Sequence, residues 1–213
     1  MQIRKLDSGT FAACVAEAAE VLRAGGVIVF PTDTLYGLGA DALSDEAVEK
    51  IARIKGRDEN KPIHAIVSDT RMMARYAEIN PGGKKLAEKF FPGPLTIIFK
   101  KRERLISGIA KHIATIGIRI PDNDFCIEMA RAFDGPVTAT SANRAGEVPQ
   151  RSLNAILAQL GDAAQEIDLV FDAGELPSSL PSTVIDVSKG EMAILREGAI
   201  PAADIWEVVR AEE

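Results

Sequence analysis

Five polar segments of this chain combine hydroxyls, cations and small residues in ways that suit an anionic ligand. The first is Pro31-Thr32-Asp33-Thr34-Leu35-Tyr36-Gly37-Leu38-Gly39. It offers two threonine hydroxyls, a carboxylate, and glycines that let backbone approach a ligand closely. It leaves the apolar run Val27-Ile28-Val29-Phe30, and the end of a buried strand is a usual ligand position in α/β sheets. A polar turn with no ligand fits the same residues. The second segment holds Arg53, Lys55, Arg57 and Lys61 close together. These are either solvated cations at a helix C-terminus, where the dipole favours them, or a cluster for a polyanion. Arginine would then supply forked contacts and lysine a point charge.

In the third segment, Ile118-Arg119-Ile120, an arginine stands between apolar neighbours and Pro121 turns the chain directly after it. An outward-facing strand residue is the plainer reading. The fourth, Thr138-Ala139-Thr140-Ser141-Ala142-Asn143-Arg144-Ala145-Gly146, suits a polar wall with exposed N–H groups. The fifth is Leu180-Pro181-Ser182-Thr183-Val184-Ile185-Asp186, with Arg196-Glu197-Gly198 closing the neighbouring strand. Each segment alone is weak. Together they place hydroxyls and cations at several strand edges, the composition expected of a site for ATP and an amino acid.

Absent patterns narrow the chemistry. No Gly-x-x-x-x-Gly-Lys phosphate loop occurs. Neither a Ser-His-Asp nor a Cys-His arrangement is visible. Cys14 and Cys126 sit in apolar helical patterns and read as buried packing, and no spacing suggests a zinc site or other metal site. A net charge of -6 argues against a dedicated nucleic-acid binder. No apolar run approaches the roughly 18 residues of a membrane span. The start Met1-Gln2-Ile3-Arg4-Lys5-Leu6-Asp7 lacks the apolar stretch of a signal peptide, so no membrane and a cytoplasmic setting are expected.

Hydrophobic periodicity supplies the elements that must position these groups. Phe11, Cys14, Val15, Ala18, Val21 and Leu22 mark a helix stopped by Gly25-Gly26, and Ser44 caps another carrying Val48, Ile51 and Ala52. Strands are expected at 27–30, 62–67, 95–99, 116–120, 136–140, 167–171, 183–187 and 192–196, the last two joined by a hairpin at Ser188-Lys189-Gly190-Glu191. Two short helices follow the 62–67 strand, separated near Pro81-Gly82-Gly83. Further helices are expected at 123–133, after Ser152, and after Pro201. Strands alternating with helices predict an α/β fold with a mixed sheet. The Ser- and Pro-rich stretch 175–182 reads as a loop, so residues 1–213 are expected to form one domain.

Six ordered segments resemble the signatures of the YrdC-like family from about residue 10 to residue 200. They are Pro31 to Gly39, Lys55-Gly56-Arg57, Phe91-Pro92-Gly93-Pro94-Leu95-Thr96, Gly117-Ile118-Arg119-Ile120-Pro121, Ser141-Ala142-Asn143 and Pro181-Ser182-Thr183-Val184. The length resembles the short, single-domain TsaC-type form. The resemblance implies a twisted mixed sheet with flanking helices around a large concave cavity. It implies L-threonylcarbamoyladenylate synthase activity, a nucleotidyl transfer in which L-threonine, bicarbonate and ATP give threonylcarbamoyl-AMP and pyrophosphate. The product would serve threonylcarbamoyladenosine modification of tRNA through a downstream threonylcarbamoyl transferase complex, with tRNA itself held weakly if at all. Mg2+ would accompany ATP.

Carried over by motif, Thr34, Arg119 and Ser182 resemble threonine-site residues, Arg119 facing threonine's carboxylate. Arg57, Lys61, Thr115, Ser141 and Arg196 resemble nucleotide-site residues, with Lys55 and Asn143 beside them. Lys55, Arg57, Lys61 and Arg196 would stabilise charge at phosphorus. Pro149 aligns with a nucleotide-site position often held by Ser, where only a backbone contact would survive. The chain departs from the family at Ile66, where many relatives have histidine. His64, two residues earlier, shares that face of a strand. A rival reading is a non-enzymatic double-stranded RNA or tRNA-binding module, with Lys100-Lys101-Arg102-Glu103-Arg104 adding phosphate contacts. The lone Trp206 in a terminal helix counts against it, because stacking aromatics are lacking. A second rival, a larger carbamoyltransferase, would need additional domains.

Overall fold

Short apolar runs become strands and 3.6-residue apolar patterns become helices. The computed structural model describes residues 1–58 and 62–210, starting with β1 (Gln2–Lys5), α1 (Phe11–Arg23), β2 (Ile28–Pro31) and β3 (Tyr36–Gly39). There follow α2 (Asp45–Lys55), β4 (Ala65–Ile66), α3 (Thr70–Tyr76), β5 (Ala77–Glu78) and α4 (Pro81–Phe90). The middle of the chain forms β6 (Leu95–Lys101), β7 (Thr115–Arg119), α5 (Asp124–Phe133), β8 (Val137–Thr138), β9 (Thr140–Ser141) and α6 (Leu153–Leu160). After these come β10 (Leu169–Asp172), β11 (Thr183–Asp186), β12 (Ala193–Arg196) and α7 (Ala202–Arg210). No helix among the described residues is long and apolar enough to cross a membrane.

The strands form two mixed sheets rather than one. The first runs β1-β10-β2-β3-β9, parallel across β1, β10 and β2 and antiparallel beyond. The second runs β12-β11-β6-β7-β4-β8, with β5 paired to β6 off that path. The expected strand at 136–140 splits: β8 joins the second sheet and β9 the first, so this segment stitches the sheets together. Ala139 N–H donates to His64 O at 2.9 Å and Thr138 N–H to Ala40 O at 2.9 Å, one bond to each side of the seam.

Local chemistry accounts for the boundaries that matter. The Ser44 side chain accepts from Ala47 N–H at 3.2 Å, capping α2, and Gly56 ends that helix in the left-handed region at φ 59°. Asn123 caps α5 in the same way, accepting from Cys126 N–H at 3.1 Å. The two expected short helices part just before Pro81-Gly82-Gly83, which forms the first turn of α4, where Pro81 needs no N–H partner. Gly83 is there for space: an added Cβ would stand 2.3 Å from the Phe99 ring. α1 and α5 pack on the first sheet through Leu22, Phe30, Phe125, Met129 and Phe171, with buried Cys14 and Cys126 among them. The larger core joins the two sheets and their helices, from Val29 and Leu38 of the first to Ile97, Phe99, Ile118 and Ile185 of the second.

Candidate active site

A cavity of about 270 Å³ opens between the two sheets. Its walls begin where β2 turns into β3. Thr32 Oγ1 accepts from the N–H groups of Thr34 at 3.0 Å and Leu35 at 3.1 Å and donates to Leu35 O at 2.7 Å, closing a hydroxyl-built turn. That turn aims Thr34 into the cavity, where it is buried.

Opposite stands Arg119, at the end of β7 and only 4% exposed. All three of its nitrogens are held. Nε donates to Gly93 O at 3.1 Å, Nη1 to Thr34 Oγ1 at 3.0 Å and Nη2 to Asp33 Oδ1 at 2.5 Å. The Gly93 carbonyl belongs to the Phe91-Pro92-Gly93-Pro94 segment, and Gly93 N–H donates back to Ile120 O at 2.8 Å. Ser182 completes this end of the cavity. Its buried hydroxyl pairs with Thr96 Oγ1 at 2.9 Å and accepts from Arg196 Nη2 at 3.2 Å. Thr34, Arg119 and Ser182 are thus brought to one wall.

The cations divide. Arg57 and Arg196 both line the cavity. Arg57 follows the left-handed Gly56, and its Nη2 donates to Pro62 O at 3.2 Å. Arg196 is folded back on Ser182 O through Nε at 3.1 Å and Nη2 at 2.8 Å. Burial lowers the pKa of both; for Arg57 the neighbouring Asp58 partly opposes this, and for Arg196 the nearby Arg119 adds to it. Lys55 does not reach the cavity. Its ammonium donates to Ser141 O, to Asn143 O at 2.9 Å and to Asn143 Oδ1 at 3.3 Å, which uses all three of its N–H bonds. Burial, then Arg57, lowers its pKa to about 8. Asn143 also stands behind the wall, donating to Arg144 O at 2.8 Å and Glu147 O at 2.7 Å. The two residues hold the 141–147 loop, and Ser141, which accepts nothing from Lys55 at its hydroxyl, presents that loop to the cavity. Lys61 lies outside the described residues.

Thr115 shares the β7 face of Gly117 and Arg119 but sits at the other end of the strand and does not line the cavity. His64 and Ile66 both line it, as strand alternation requires. Burial, reinforced by Arg119 and Arg196, lowers the His64 imidazole to about 3, so it is neutral near pH 7. Pro149 is also at the wall. Lys100 and Lys101 end β6, and Arg102 to Arg104 border a separate open groove with Arg71 and Arg75 that shares no residue with the cavity. Thr96 and the Asp33 carboxylate lie inside the family-like segments, but residue type alone does not disclose that they hold Ser182 and Arg119.

The family model for Sua5, YciO and YrdC, described as "Telomere recombination", matches residues 20–198. The chain belongs to the Sua5/YciO/YrdC family. Among curated relatives, a putative threonylcarbamoyl-AMP synthase of Methanocaldococcus jannaschii is 39% identical over 177 residues, or 83% of this chain and 82% of that protein. The threonylcarbamoyl-AMP synthase of Mus musculus is 36% identical over 198 residues, covering 90% of this chain and 69% of its own. Among solved structures of the family, Pyrococcus abyssi Sua5 complexed with L-threonine is 29% identical with a TM-score of 0.88. The match takes in 98% of this chain and 60% of Sua5, so the chain spans about three-fifths of that longer family member. The α/β architecture of this chain is therefore the family's own.

Proposed function

We propose that this chain is an L-threonylcarbamoyladenylate synthase, forming threonylcarbamoyl-AMP and pyrophosphate from L-threonine, bicarbonate and ATP. The observation that carries the reading is one cavity with two chemistries. A pinned Arg119 with Thr34 and Ser182 suits a small amino acid, and Arg57 with Arg196 suits a polyphosphate. The names of the relatives and the threonine-bound Sua5 support the same assignment.

Arg119 donates the N–H bonds not taken by Thr34, Asp33 and Gly93 to threonine's carboxylate. The substrate amine attacks the carbon of carbon dioxide formed from bicarbonate and gives up a proton to become an N-carboxylate, with one water released overall. An oxygen of that group attacks the α-phosphorus of ATP, the bond to the β-phosphate oxygen breaks, and pyrophosphate leaves. Arg57 and Arg196 offset charge as it develops on the phosphate oxygens, the largest contribution a side chain makes to such a transfer. Ser141 stands where it can contact the nucleotide, and Lys55 and Asn143 hold its loop rather than touch phosphate. Among the described residues no three His, Cys, Asp or Glu side chains group as a metal site. Mg2+ would come with ATP as part of the substrate. The chain would act as one cytoplasmic unit and pass the adenylate to a transferase that modifies tRNA.

Mass-spectrometric detection of threonylcarbamoyl-AMP, with matching pyrophosphate release from the purified protein, tests the reading. Protein that binds tRNA tightly and independently of salt yet releases no pyrophosphate would establish the RNA-binding module instead.

A further inference from the structure

We infer that Asp33 is a positioning residue for the amino-acid substrate, fixing the Arg119 guanidinium so that one N–H on each terminal nitrogen remains for the substrate's carboxylate. This rests on the proposed function. A guanidinium has five N–H bonds: one on Nε and two on each terminal nitrogen. Gly93 O takes the Nε bond, Thr34 Oγ1 one bond from Nη1 and Asp33 Oδ1 one from Nη2. What remains is one N–H on each terminal nitrogen, a donor for each oxygen of a carboxylate.

Asp33 acts through Arg119 rather than on the substrate. Thr32 and Thr34, on either side of it, line the cavity, and Asp33 does not. Its side chain is 12% exposed against 5% for Arg119. Its second oxygen is also committed, accepting from Asp122 N–H at 3.2 Å in the turn after β7. Asp33 therefore ties the β2–β3 turn of one sheet to the end of β7 in the other, and Arg119 is the group clamped between them. A buried ion pair is by itself weak support for stability, because desolvating the two charges offsets most of their attraction. Orientation is what three separate anchors on one guanidinium add. Asp33 also answers the Arg119 charge within the protein, which suits a monoanionic carboxylate better than a triphosphate.

Two variants separate orientation from charge. Asp33→Asn removes the charge and keeps an oxygen that can accept from Nη2, whereas Asp33→Ala removes both. Calorimetric titration of threonine into the protein without ATP is expected to show roughly ten- to hundred-fold weaker binding for Asp33→Ala, the loss of a hydrogen bond to a charged group. Asp33→Asn is expected to fall between it and the wild type. In steady-state assays the threonine KM should rise while the ATP KM and kcat at saturating threonine stay near wild type. In an Arg119→Ala background, Asp33→Asn should change nothing further. If Asp33→Ala does not fold, the Asp33→Asn shift and its disappearance in the Arg119→Ala background decide. Unchanged threonine binding in folded variants, or parallel loss of threonine and ATP binding with lowered stability, would overturn the inference. Wild-type protein that binds no threonine would overturn the proposed function itself.

Discussion

Arg57 and Arg196 approach the cavity from different elements, one from the end of α2 and one from β12, and burial strips part of the water from each. A cation in that state gains most from a phosphate partner. Arg57→Ala and Arg196→Ala are each expected to slow adenylate formation roughly ten- to hundred-fold at limiting ATP while leaving the urea midpoint near wild type. Normal pyrophosphate release by both would place the nucleotide elsewhere. His64 gives a pH dependence whose sign is fixed. Its imidazole titrates at about 3 in the folded chain against 6.5 as the ordinary value, so between those pH values the unfolded chain binds more protons. The stability it contributes is complete above pH 6.5 and is lost progressively as pH falls toward 3. Urea midpoints taken at pH 7 and pH 5 should therefore differ less in His64→Gln than in the wild type; identical differences would mean that His64 is not held neutral.

At the scale of elements, the site depends on two pieces of backbone support. Gly198 lets the end of β12 cross the Pro181–Ser182 segment: an added Cβ would stand 2.1 Å from Pro181 O, and backbone cannot yield as a side-chain tip can. Gly198→Ala is expected to cost about 1–3 kcal/mol by overpacking and to raise the ATP KM, since Arg196 is positioned by the same crossing. A urea titration paired with pyrophosphate kinetics checks both effects. Lys55 supports the other side. Replacing it with Met leaves Ser141 O, Asn143 O and Asn143 Oδ1 without their shared donor, for an expected loss of about 1–3 kcal/mol in the same titration. Sequence alone discloses these elements unevenly. β6 and β7 are legible because they are apolar runs buried within the second sheet, and Arg119 is conspicuous between two isoleucines. β1 escapes notice because its residues are polar at an exposed sheet edge, and β3 because its glycines read as a loop. Spacing also gives the face of Thr115 but not its reach: four strand steps at about 3.3 Å each carry it some 13 Å from Arg119. Residue type marks Lys55 and Asn143 as polar and significant. Only their acceptors reveal that they brace a loop.

For the molecule as a whole, the amino-acid choice tests how the two sheets share one ligand. Thr34, Ser141 and Ser182 each already bond within the protein through their hydroxyls, Thr34 to Arg119, Ser141 to Asn143 and Ser182 to Thr96 and Arg196. Thr34 and Ser141 each keep a lone pair, so threonine's own hydroxyl would donate to one of them. The expected order in kcat/KM is threonine, then serine by the loss of one methyl, roughly 10–200-fold, with valine down by roughly 10⁴-fold or more. Pyrophosphate release under saturating ATP and bicarbonate measures it, and valine matching serine would mean that shape alone is read. One feature of the architecture also sets how the walls of this cavity breathe. Ser182 directly precedes an interior strand, β11, with neighbours on both sides, whereas Arg196 ends β12, which among the described residues has β11 on one side only and marks the rim of its sheet. Strands with one neighbour open locally at low free energy. Amide protons of β12 should therefore exchange with deuterium well ahead of those in β6 and β7, and a nucleotide held by Arg196 should slow that exchange, serving as the neighbour the strand lacks.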